Sequence, residues 1–565
     1  MPHAQLIPNS AGDVLTPSAV SIDEQGAVLV GDAAAQRRVT FPDRTATEFK
    51  RDMGSTRVYR LADKTFTPEQ LSSLILSSLK ADAEAFLGEP ITHAVISVPA
   101  YFNDTQRNAT LAAARLAELN VSRLVNEPTA AAIAFGLAND DIDDAPSATL
   151  VFDLGGGTFD ISIVEQFDGV IEIKASTGDN YLGGEDFTQS IADVLFKKVG
   201  LTIEQSGALS GVDLEHFIHT AERIKRELSH STTVKTTVQV NGKPTDVTFK
   251  ESEFEQCATE LFERIRQPVK QALRDARINT DTLDNIVLVG GSTRMPLVRK
   301  LVAKLFGHFP QSHINPDEAI ALGAATQAAL LARDVTLEEV LLTDVSPFTL
   351  GVATSSKHHT GHTVQGVLSP IIERNTIIPV SREETYTTMD DGQSEIVLQV
   401  YQGEHRFVKD NIQLGELSVP IPSKPAGEIP IVVRFTYDSS GMLEVDVTVG
   451  SEDNDRSRVG GKDNPAPNSY NMTLLGNAAR LDEKDIAARK AELAKLKFHP
   501  RDDLPNRALM ERADRLYASL MGTSRDRLGF AINDFAAAIE SQDTNKIVDA
   551  RQEFTQLLDA LEAML

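Results

Sequence analysis

The chain has 565 residues, with 55 Lys and Arg against 81 Asp and Glu, which gives a net charge of −26 at pH 7. This length predicts several domains, and the acidic balance argues against non-specific binding to nucleic acid, which needs clustered positive charge. The single cysteine, Cys257, excludes an intrachain disulfide framework. No apolar run reaches the roughly 18 residues that span a bilayer, and the first residues lack the pattern of a secretion signal, so the sequence predicts a cytoplasmic protein.

Short Val-, Ile- and Leu-rich runs alternate with helical stretches from the start of the chain to about residue 335. Predicted strands include residues 94–98, 149–152 and 286–289. Predicted helices include residues 69–87, 104–119 and 295–307, with Asp104 as a candidate cap of the second. Buried strands that alternate with helices indicate an α/β fold for this part.

The pattern changes twice after that point. Residues 345–475 contain strand-like runs such as 395–400 and 431–437, separated by turn signals and without helices, which indicates an antiparallel sandwich. Residues 451–469 are polar and predict a long loop. Residues 481–565 have helical periodicity and predict a small helical bundle.

The segment Glu339-Val340-Leu341-Leu342-Thr343-Asp344 lies between the α/β and β parts. One interpretation is the ordinary end of a strand or helix. The other is an apolar linker that docks in one state of the protein and is released in another. The residue pattern alone leaves both open.

The most informative local motif is Asp153-Leu154-Gly155-Gly156-Gly157-Thr158-Phe159-Asp160, which follows a predicted strand. Glycines allow backbone N–H groups to approach phosphate oxygens closely. Asp153 is suited to holding the water shell of Mg²⁺, and the Thr158 hydroxyl to a terminal phosphate. The alternative is a tight turn without a ligand, but the flanking Asp and Thr favour phosphate.

Weaker signals surround this motif. Gly290-Gly291-Ser292-Thr293-Arg294 forms a second glycine turn before a predicted helix, and the Arg294 guanidinium is suited to stacking on a purine. Glu127 either reaches a metal shell or is simply an acid favoured at a helix N-terminus. Lys50 either neutralises phosphate or is a solvated surface lysine, and Pro99 on its own is only a strand terminator. Neither a P-loop nor a dinucleotide motif is present.

Five motifs in one order give the sequence a specific resemblance. They are Val98-Pro99-Ala100-Tyr101-Phe102-Asn103, Asn126-Glu127-Pro128-Thr129-Ala130-Ala131-Ala132, Asp153 through Asp160, Tyr181-Leu182-Gly183-Gly184-Glu185-Asp186-Phe187 and Asn315-Pro316-Asp317-Glu318-Ala319. With the linker and sandwich behind them, the chain resembles the DnaK-type heat shock protein 70 chaperones, and most closely their HscC branch. The resemblance implies a multidomain α/β, all-β and all-α protein: an actin-like two-lobed ATPase domain (1–338), a linker (339–345), a β-sandwich that binds peptides (346–476) and a short helical lid (477–565).

The resemblance also assigns roles at a nucleotide site for ATP or ADP with Mg²⁺ and K⁺. It implies that Asp153 and Glu127 lie near hydrated Mg²⁺, Thr158 near the γ-phosphate, Lys50 near the attacking water and Asp160 near a monovalent cation. The other nucleotide-binding positions that it implies are Gly155, Gly156, Gly157, Gly183, Gly184, Glu222, Lys225, Arg226, Ser229, Gly290, Gly291, Ser292 and Arg294.

Client and co-chaperone positions follow from the same resemblance. The implied peptide-cleft residues are Val352, Tyr386, Met389, Ile396 and Leu398, each of which has sandwich core as its alternative. Pro99 and Arg107 match a relay between the lobes, and Arg123 and Asp344 match the docking positions of a J-domain co-chaperone. Unfolded client segments, a J-domain protein and a nucleotide exchange factor are the implied partners, without nucleic acid or membrane.

The family pattern predicts an earlier phosphate-binding hairpin, which would read like Gly-Ile-Asp-Leu-Gly-Thr-Thr-Asn-Ser, and this sequence has no such stretch. Residues 3–9 instead look like the third strand of the family. The two interpretations are a start codon assigned too late, which we favour, and a degenerate chaperone. From this sequence we expect little or no ATP hydrolysis.

The resemblance implies an ATP-driven chaperone that assists protein folding under stress. Two other functional classes are alternatives to it. One is a nucleotide-independent peptide holdase that uses residues 345–565. The other is an actin-like sugar kinase or filament protein, which shares the ATPase fold but not the linker and sandwich. Release of a bound peptide by ATP separates the first of these alternatives from the chaperone.

Overall fold

The computed structural model describes residues 4–138, 146–167, 170–202, 209–240, 243–307, 309–311, 315–332, 341–357, 363–438, 441–450, 469–474, 504–520 and 522–562. Along these residues the chain passes from mixed α/β structure to a β-sandwich and then to helices, as the sequence predicts. Within these ranges, no helix combines the length and apolar character needed to cross a membrane.

The first lobe of the α/β part contains several small sheets covered by helices. The strands β1–β3 form an antiparallel sheet, whereas β6 and β7 form a parallel pair, and within the described ranges β6 has no second strand partner. The elements are β1 (Val20–Ile22), β2 (Val28–Val30), α1 (Asp32–Ala35), β3 (Thr45–Ala46), β4 (Tyr59–Leu61), β5 (Lys64–Phe66), α2 (Pro68–Leu87), β6 (His93–Val98), α3 (Asp104–Leu116), β7 (Asn120–Asn126) and α4 (Glu127–Ala138).

The predicted helices and strands of this lobe are confirmed, with two corrections. Residues 4–9 form no strand, and a turn follows them, in which the Asn9 side chain accepts the N–H groups of Ala11 and Asp13, both at 3.0 Å. Asp104 is the first residue of α3 and not its cap. The cap is Asn103, whose side chain accepts the Gln106 N–H at 3.0 Å while Gln106 accepts the Asn103 N–H at 3.1 Å.

The second lobe is built on a six-stranded sheet in the order β13-β8-β9-β10-β14-β17. The first two strands in chain order, β8 and β9, are antiparallel and are joined by the glycine turn at residues 155–158. The elements up to the linker are β8 (Ser147–Leu154), β9 (Phe159–Phe167), β10 (Val170–Asp179), α5 (Gly184–Lys198), α6 (Gly211–Glu227), β11 (Thr233–Val240), β12 (Lys243–Lys250), α7 (Glu251–Cys257), α8 (Thr259–Asp275), β13 (Asn285–Val289), α9 (Pro296–Phe306) and α10 (Ala319–Leu331).

Aromatic side chains fill the core below this sheet. Phe152 and Phe159, on either side of the glycine turn, have ring centroids 4.9 Å apart and are fully buried. Phe187, Phe196 and Phe217, on the helices below, belong to the same cluster. Because both strands that carry the turn are fixed by this core, the turn is held rigidly at the edge of the lobe.

The linker segment is a strand in this structure. β14 (Leu341–Val345) pairs in parallel with β10, with Val170 opposite Leu341, and in antiparallel with the short β17 (Ile377–Ile378). The two alternatives left open by the sequence are therefore compatible, since a linker can dock as a strand. Glu339 and Val340 lie outside the described residues.

The β part is a sandwich of two four-stranded sheets, β16-β15-β19-β20 and β18-β21-β22-β23. Its core contains Val433, Phe435, Val445 and Val447 from the second sheet, all fully buried. The strands are β15 (Leu350–Lys357), β16 (Thr363–Ile372), β18 (Val380–Thr387), β19 (Glu395–Gln402), β20 (Ile412–Pro420), β21 (Pro430–Tyr437), β22 (Leu443–Val449) and β23 (Ser469–Leu474). The predicted loop at 451–469 falls outside the described residues except for Ser469, which begins β23.

The predicted helical bundle is confirmed for its described part. The helices α11 (Leu504–Ser519), α12 (Gly522–Glu540) and α13 (Thr544–Glu562) pack around buried residues that include Leu528, Phe535 and Leu558. Residues 477–503 of the predicted lid lie outside the described ranges.

One side chain fastens this bundle to the sandwich. Gln542, in the turn between α12 and α13, donates from Nε2 to the Glu383 carbonyl oxygen at 3.0 Å. Its Oε1 accepts the Glu383 N–H at 3.3 Å. The side-chain amide of Gln542 therefore makes the same pair of hydrogen bonds to the edge of β18 that the backbone of a neighbouring strand would make.

We expect Gln542→Ala to weaken the association of the bundle with β18 by about 1–3 kcal/mol, because it removes both hydrogen bonds from the partly buried backbone of Glu383. The measurement is amide hydrogen exchange at Glu383, which should become faster. Gln552→Ala, at an exposed position of α13, is the control and should leave this exchange unchanged. Equal protection of Glu383 in both variants contradicts the prediction.

Candidate functional site

The glycine turn between β8 and β9 is the centre of the site. Asp153 and Asp160 are direct cross-strand partners at its base, and the Gly155 N–H donates to the Thr158 carbonyl oxygen at 3.1 Å. A Cβ added to Gly156 would meet no atom within 4 Å, so the turn borders open space on that side. A glycine turn beside open space is suited to binding phosphate oxygens through its backbone N–H groups.

Three acidic side chains, those of Asp153, Asp160 and Glu127, are buried beside this turn. Burial raises the pKa of the Asp153 carboxyl well above its ordinary value, and the neighbouring carboxylates of Glu127 and Asp160 raise it further. Burial, followed by the charge of Glu127, raises the pKa of Asp160 to about 7. Burial makes the charged form of these carboxyl groups unfavourable, which is typical of a site whose charge is balanced by a ligand.

The hydrogen bonding of these acids fits a cation. Within the described residues, Oδ2 of Asp153 and Oδ2 of Asp160 have no hydrogen-bond partner, whereas Oδ1 of Asp160 accepts the Tyr101 N–H at 3.1 Å. No group of three or more His, Cys, Asp or Glu side chains in the described ranges is arranged to ligate a metal directly. The residues therefore fit a divalent cation that keeps much of its own water shell.

Lys50 faces this acidic group from the first lobe. It lies on a single 3-10 turn, Phe49–Asp52, and its Nζ contacts Oε1 of Glu127 at 2.6 Å. Loss of hydration lowers the pKa of Lys50, but the charge and hydrogen bond of Glu127 together with the charges of Asp153 and Asp160 outweigh it, so that the pKa is raised overall. The ammonium group therefore stays charged beside the glycine turn.

The other two glycine turns pack against the first one through their backbones. The Gly184 N–H donates to the Gly155 carbonyl oxygen at 2.9 Å, and a Cβ on Gly183 would lie 2.5 Å from the Gly156 carbonyl oxygen. Gly290 has a φ of +82°, and the Ser292 hydroxyl donates to the Gly155 carbonyl oxygen at 2.8 Å. Glycine is needed at 183 and 290 because no side chain fits between these backbones.

The predicted base-binding residues lie next to these turns and are tied to one another. Lys225 Nζ donates to the Gly184 carbonyl oxygen and to the Thr188 hydroxyl, both at 2.8 Å, and pairs with Glu222 at 2.6 Å. Burial opposes ionisation of Glu222, but Lys225, Thr188 and Arg226 together outweigh it and lower the pKa of Glu222 to about 2. Arg226 pairs with the other oxygen of Glu222 at 2.7 Å. The arrangement holds Glu222 ionised at the surface of the cleft.

The remaining two predicted base contacts are placed less tightly. The half-exposed Arg294 side chain pairs with Asp317 at 2.6 Å and also donates to Asn315. Ser229 follows the end of α6, where its N–H donates to the Arg226 carbonyl oxygen at 3.0 Å. The guanidinium of Arg294 is held by its edge, which leaves a face for stacking.

Of the two predicted relay residues, Arg107 begins a continuous chain of hydrogen bonds from the first lobe to the linker. The buried Arg107 donates to the Phe102 carbonyl oxygen at 2.9 Å and to Oδ1 of Asn126 at 2.6 Å. Nδ2 of Asn126 then donates to Oδ2 of Asp344 in β14 at 2.9 Å. Burial raises the pKa of Asp344, and the nearby Arg107 and Arg123 oppose this effect.

Pro99 stands just before this chain, and its carbonyl oxygen accepts the Phe102 N–H at 3.1 Å. Asn126 is a member of the chain that sequence reasoning missed. It lies next to Glu127 in one of the five motifs, and its position at the end of a strand was the only available signal.

The α/β part and the sandwich contact each other around the linker. Arg374 forms a two-pronged ion pair with Asp275 at the end of α8, at 3.0 and 3.2 Å, and Asn375 donates to the same carboxylate at 3.0 Å. The rings of Tyr101 and Phe348 lie 4.6 Å apart. The structure therefore shows a docked arrangement of the two domains.

A partly buried carboxyl in this interface, that of Asp104, predicts a pH effect. Asp104 donates its backbone N–H to Gln402 of the sandwich at 3.2 Å, and its carboxyl is surrounded by Arg107, Gln402 and Tyr437. Burial raises the pKa of Asp104 from 3.8 to about 6 against the opposing effects of Arg107 and Gln402. Docking should be strongest below about pH 4 and should weaken as the pH rises through about 6, because the docked state binds the proton more tightly.

The measurement is energy transfer between dyes on the two domains from about pH 5 to about pH 7.5. Asp104→Asn should keep the domains docked at the upper pH and flatten the profile. Asp213→Asn, which changes another helix-start acid on α6, is the matched control and should keep the wild-type profile. An identical profile for Asp104→Asn and wild type argues against the prediction.

The predicted peptide-cleft residues do not share one environment. Val352 and Leu398 are buried in the sandwich core, and their role in a peptide cleft stays a prediction. Tyr386 and Ile396 are partly buried and pack on the same core, and Met389 is half-buried just after β18. The Tyr386 hydroxyl donates to Ser369 at 3.0 Å, so its outer end is held in place.

Comparisons with known proteins agree on one family. The family model described as "Hsp70 protein" matches residues 2–61 and 55–565. The chain is similar to the chaperone protein DnaK of Thermotoga petrophila, of Thermotoga sp. (strain RQ2) and of Thermotoga maritima. Each is 39% identical over 563 residues, which covers 96% of this chain and 90% of the relative.

Proposed function

This chain belongs to the Hsp70 family, and from that premise we propose how its residues bind nucleotide and couple it to a peptide client. The family supports an ATP-dependent molecular chaperone of DnaK type over the nucleotide-independent holdase. The HscC branch remains a prediction. The observation that carries our assignment of the site is the group of buried carboxylates beside a glycine turn, with Lys50 opposite them.

The phosphate end of the site has the following proposed roles. Asp153 and Glu127 would hold water molecules of Mg²⁺, which would neutralise charge on the phosphates. The N–H groups of Gly155–Gly157 and the Thr158 hydroxyl donate to phosphate oxygens. The Lys50 ammonium, positioned by Glu127, orients the water that attacks the γ-phosphate, and Asp160 holds a monovalent cation such as K⁺.

The nucleoside end is proposed to rest on α6 and on the Gly290 turn. The ordered Glu222, Lys225 and Ser229 face the adenosine, with Arg226 beside them and Arg294 across the base. Lys225 already fills its donor capacity with protein acceptors, so we assign to it the positioning of Glu222 and of the Gly184 turn. Gly183 and Gly291 complete the glycine lining.

Coupling is proposed to run from the nucleotide site to the linker through Arg107, Asn126 and Asp344. Pro99 is the proposed start of this path, two residues before Tyr101, whose N–H donates to Asp160. The docked strand β14 and the Arg374–Asp275 pair support a state in which the sandwich is held against the ATPase domain. The client is an extended apolar segment, for which Tyr386, Met389 and Ile396 are the candidate contacts and Val352 and Leu398 their support.

The proposed partners, besides clients, are a J-domain co-chaperone and a nucleotide exchange factor. Arg123 and Asp344 are the proposed J-domain contacts, since their charges already influence each other beside the linker. The proposed place of action is the cytoplasm, as the sequence predicts.

Peptide release tests the proposed function. A fluorescent extended apolar peptide bound to the purified chain should dissociate about 5- to 150-fold faster with Mg·ATP than with Mg·ADP, the range of a typical coupling free energy. Asn126→Ala should reduce this ratio, whereas Asn471→Ala, on an outer strand of the sandwich, should leave it unchanged. Dissociation at one rate under every nucleotide condition favours the holdase.

A further inference from the structure

Arg51, the residue after Lys50, reaches across the cleft to the second lobe. Its Nε donates to the Gly157 carbonyl oxygen at 2.8 Å, and its Nη2 pairs with Oδ2 of Asp186 at 2.5 Å. The same Asp186 oxygen accepts the Gly183 N–H at 2.7 Å. One guanidinium therefore joins the first glycine turn, the second glycine turn and the segment that carries Lys50.

The two consecutive side chains of this 3-10 turn point to different partners. Lys50 contacts Glu127 of its own lobe, whereas Arg51 contacts Gly157 and Asp186 of the other. The position of the turn Phe49–Asp52 is therefore fixed from both sides of the cleft. A rigid placement of Lys50 relative to the glycine turn follows from these two anchors.

Close packing supports this interpretation of the Arg51 contact. A Cβ built on Gly157 would lie 3.0 Å from Nε and 3.2 Å from Cγ of Arg51, so the arginine fills the space beside the turn. A guanidinium is suited to this place, because its planar fork of donors serves a carbonyl and a carboxylate together. A lysine at position 51 has a single donor centre and cannot hold both acceptors in the same way.

Exposure separates this pair from an ordinary surface ion pair. The side chains of Arg51 and Asp186 are 17% and 23% exposed. Arg57, six residues later, is 62% exposed and pairs with Asp52 within its own lobe. Exposed pairs contribute little to stability or position, so Arg57 serves as an internal control for Arg51.

We propose that Arg51 is a positioning residue for γ-phosphate chemistry. By joining the Lys50 segment to the Gly157 turn, it sets the Lys50 ammonium and the Thr158 hydroxyl around the same phosphate group. The assigned role in phosphate chemistry rests on the proposed function. The hydrogen bond and ion pair by which Arg51 joins the two lobes do not depend on it. Arg51 is not itself proposed to contact the nucleotide. It acts on the phosphate only through the glycine turn that it holds.

The first experiment requires no nucleotide. Amide hydrogen exchange of the purified chain should show faster exchange at residues 155–160 and 183–187 in Arg51→Met, with little change in the sandwich. Asp186→Asn, which removes the partner charge, should produce the same local pattern, and Arg57→Met should match wild type. Wild-type exchange in both Arg51→Met and Asp186→Asn overturns the proposal, as does faster exchange spread over the whole chain.

The second experiment separates positioning from general loosening of the domain. Arg51→Met should bind Mg·ADP within about threefold of wild type but should lose about 10- to 100-fold in affinity for a non-hydrolysable ATP analogue. The affinity of Arg51→Lys for the ATP analogue should lie between those of wild type and Arg51→Met. Equal losses for ADP and for the ATP analogue overturn the positioning role.

The two experiments also distinguish this inference from the proposed function. If the wild-type chain binds neither nucleotide, the proposed nucleotide site is wrong, while the exchange pattern still decides whether Arg51 joins the lobes. If the wild-type chain binds nucleotide and Arg51→Met does not alter exchange, only the inference about Arg51 is wrong.

Discussion

Asp153→Asn is expected to raise the thermal stability of the nucleotide-free chain and at the same time to remove its stabilisation by Mg·ADP. The wild-type carboxyl is buried, has an oxygen without a partner in the described residues and faces Glu127 and Asp160. It either keeps its charge in a dehydrated place or takes up a proton to lose it. Asparagine avoids both costs while it keeps the shape of the side chain.

Asp153→Asn is expected to weaken the binding of Mg·ADP even though it stabilises the nucleotide-free chain. Loss of a carboxylate from the shell of a metal typically lowers affinity about 10- to 100-fold, so Mg·ADP should no longer shift the unfolding midpoint. The measurement is thermal unfolding with and without Mg·ADP. Asp281→Asn, which removes an exposed charge from the same domain, should respond to Mg·ADP as wild type does. A variant of Asp153 that keeps the full Mg·ADP shift contradicts the assigned role.

Gly323→Ala is expected to destabilise the ATPase domain by about 3 kcal/mol or more, at the upper end of overpacking effects. Gly323 lies on α10 where this helix crosses α4, and a Cβ there would lie 1.8 Å from the Ala130 carbonyl oxygen and 2.4 Å from its carbonyl carbon. Both are backbone atoms that cannot rotate away. The two helices must therefore move apart, which disturbs α4 and with it Glu127 at its first residue.

Chemical denaturation of the nucleotide-free chain measures this effect. Gly211→Ala is the matched control, because position 211 begins α6 and the added Cβ meets only Pro42 at 3.4 Å. That variant should be as stable as wild type or slightly more stable, since alanine is the better helix former. Equal unfolding midpoints for the two alanine variants would contradict the prediction that a Cβ at position 323 forces α4 and α10 apart.

The sequence predicted those parts of the site that are contiguous in the chain. Asp153, the glycines and Thr158 belong to one turn between two apolar strands, and this local pattern is sufficient to place them. The Arg51–Asp186 contact joins residues 135 positions apart, and no spacing rule predicts such a pair. Asn126 was missed for the same reason, because its partner Asp344 lies 218 positions away.

Errors in the sequence predictions have local physical causes. Asp104 and Asn103 are both good caps, and only the backbone conformation at the helix start shows that Asn103 is the cap. Alternation in β-strands indicates which residues share a face, but both faces of the first sandwich sheet carry apolar residues. For this reason the sequence alone leaves open whether Val352 and Leu398 serve the sandwich core or a peptide cleft, and their role in the cleft stays a prediction.

The pairing of β14 has a mechanical consequence. Three residue pairs join β14 in parallel to β10, and two more join it in antiparallel to β17. A force that pulls the sandwich away along the axis of β14 acts on the β10 hydrogen bonds in shear, so that they share the load. A force perpendicular to the sheet opens the same bonds one after another. The resistance of the two domains to separation therefore depends on the direction of the pull, and this anisotropy is set by a strand of five residues.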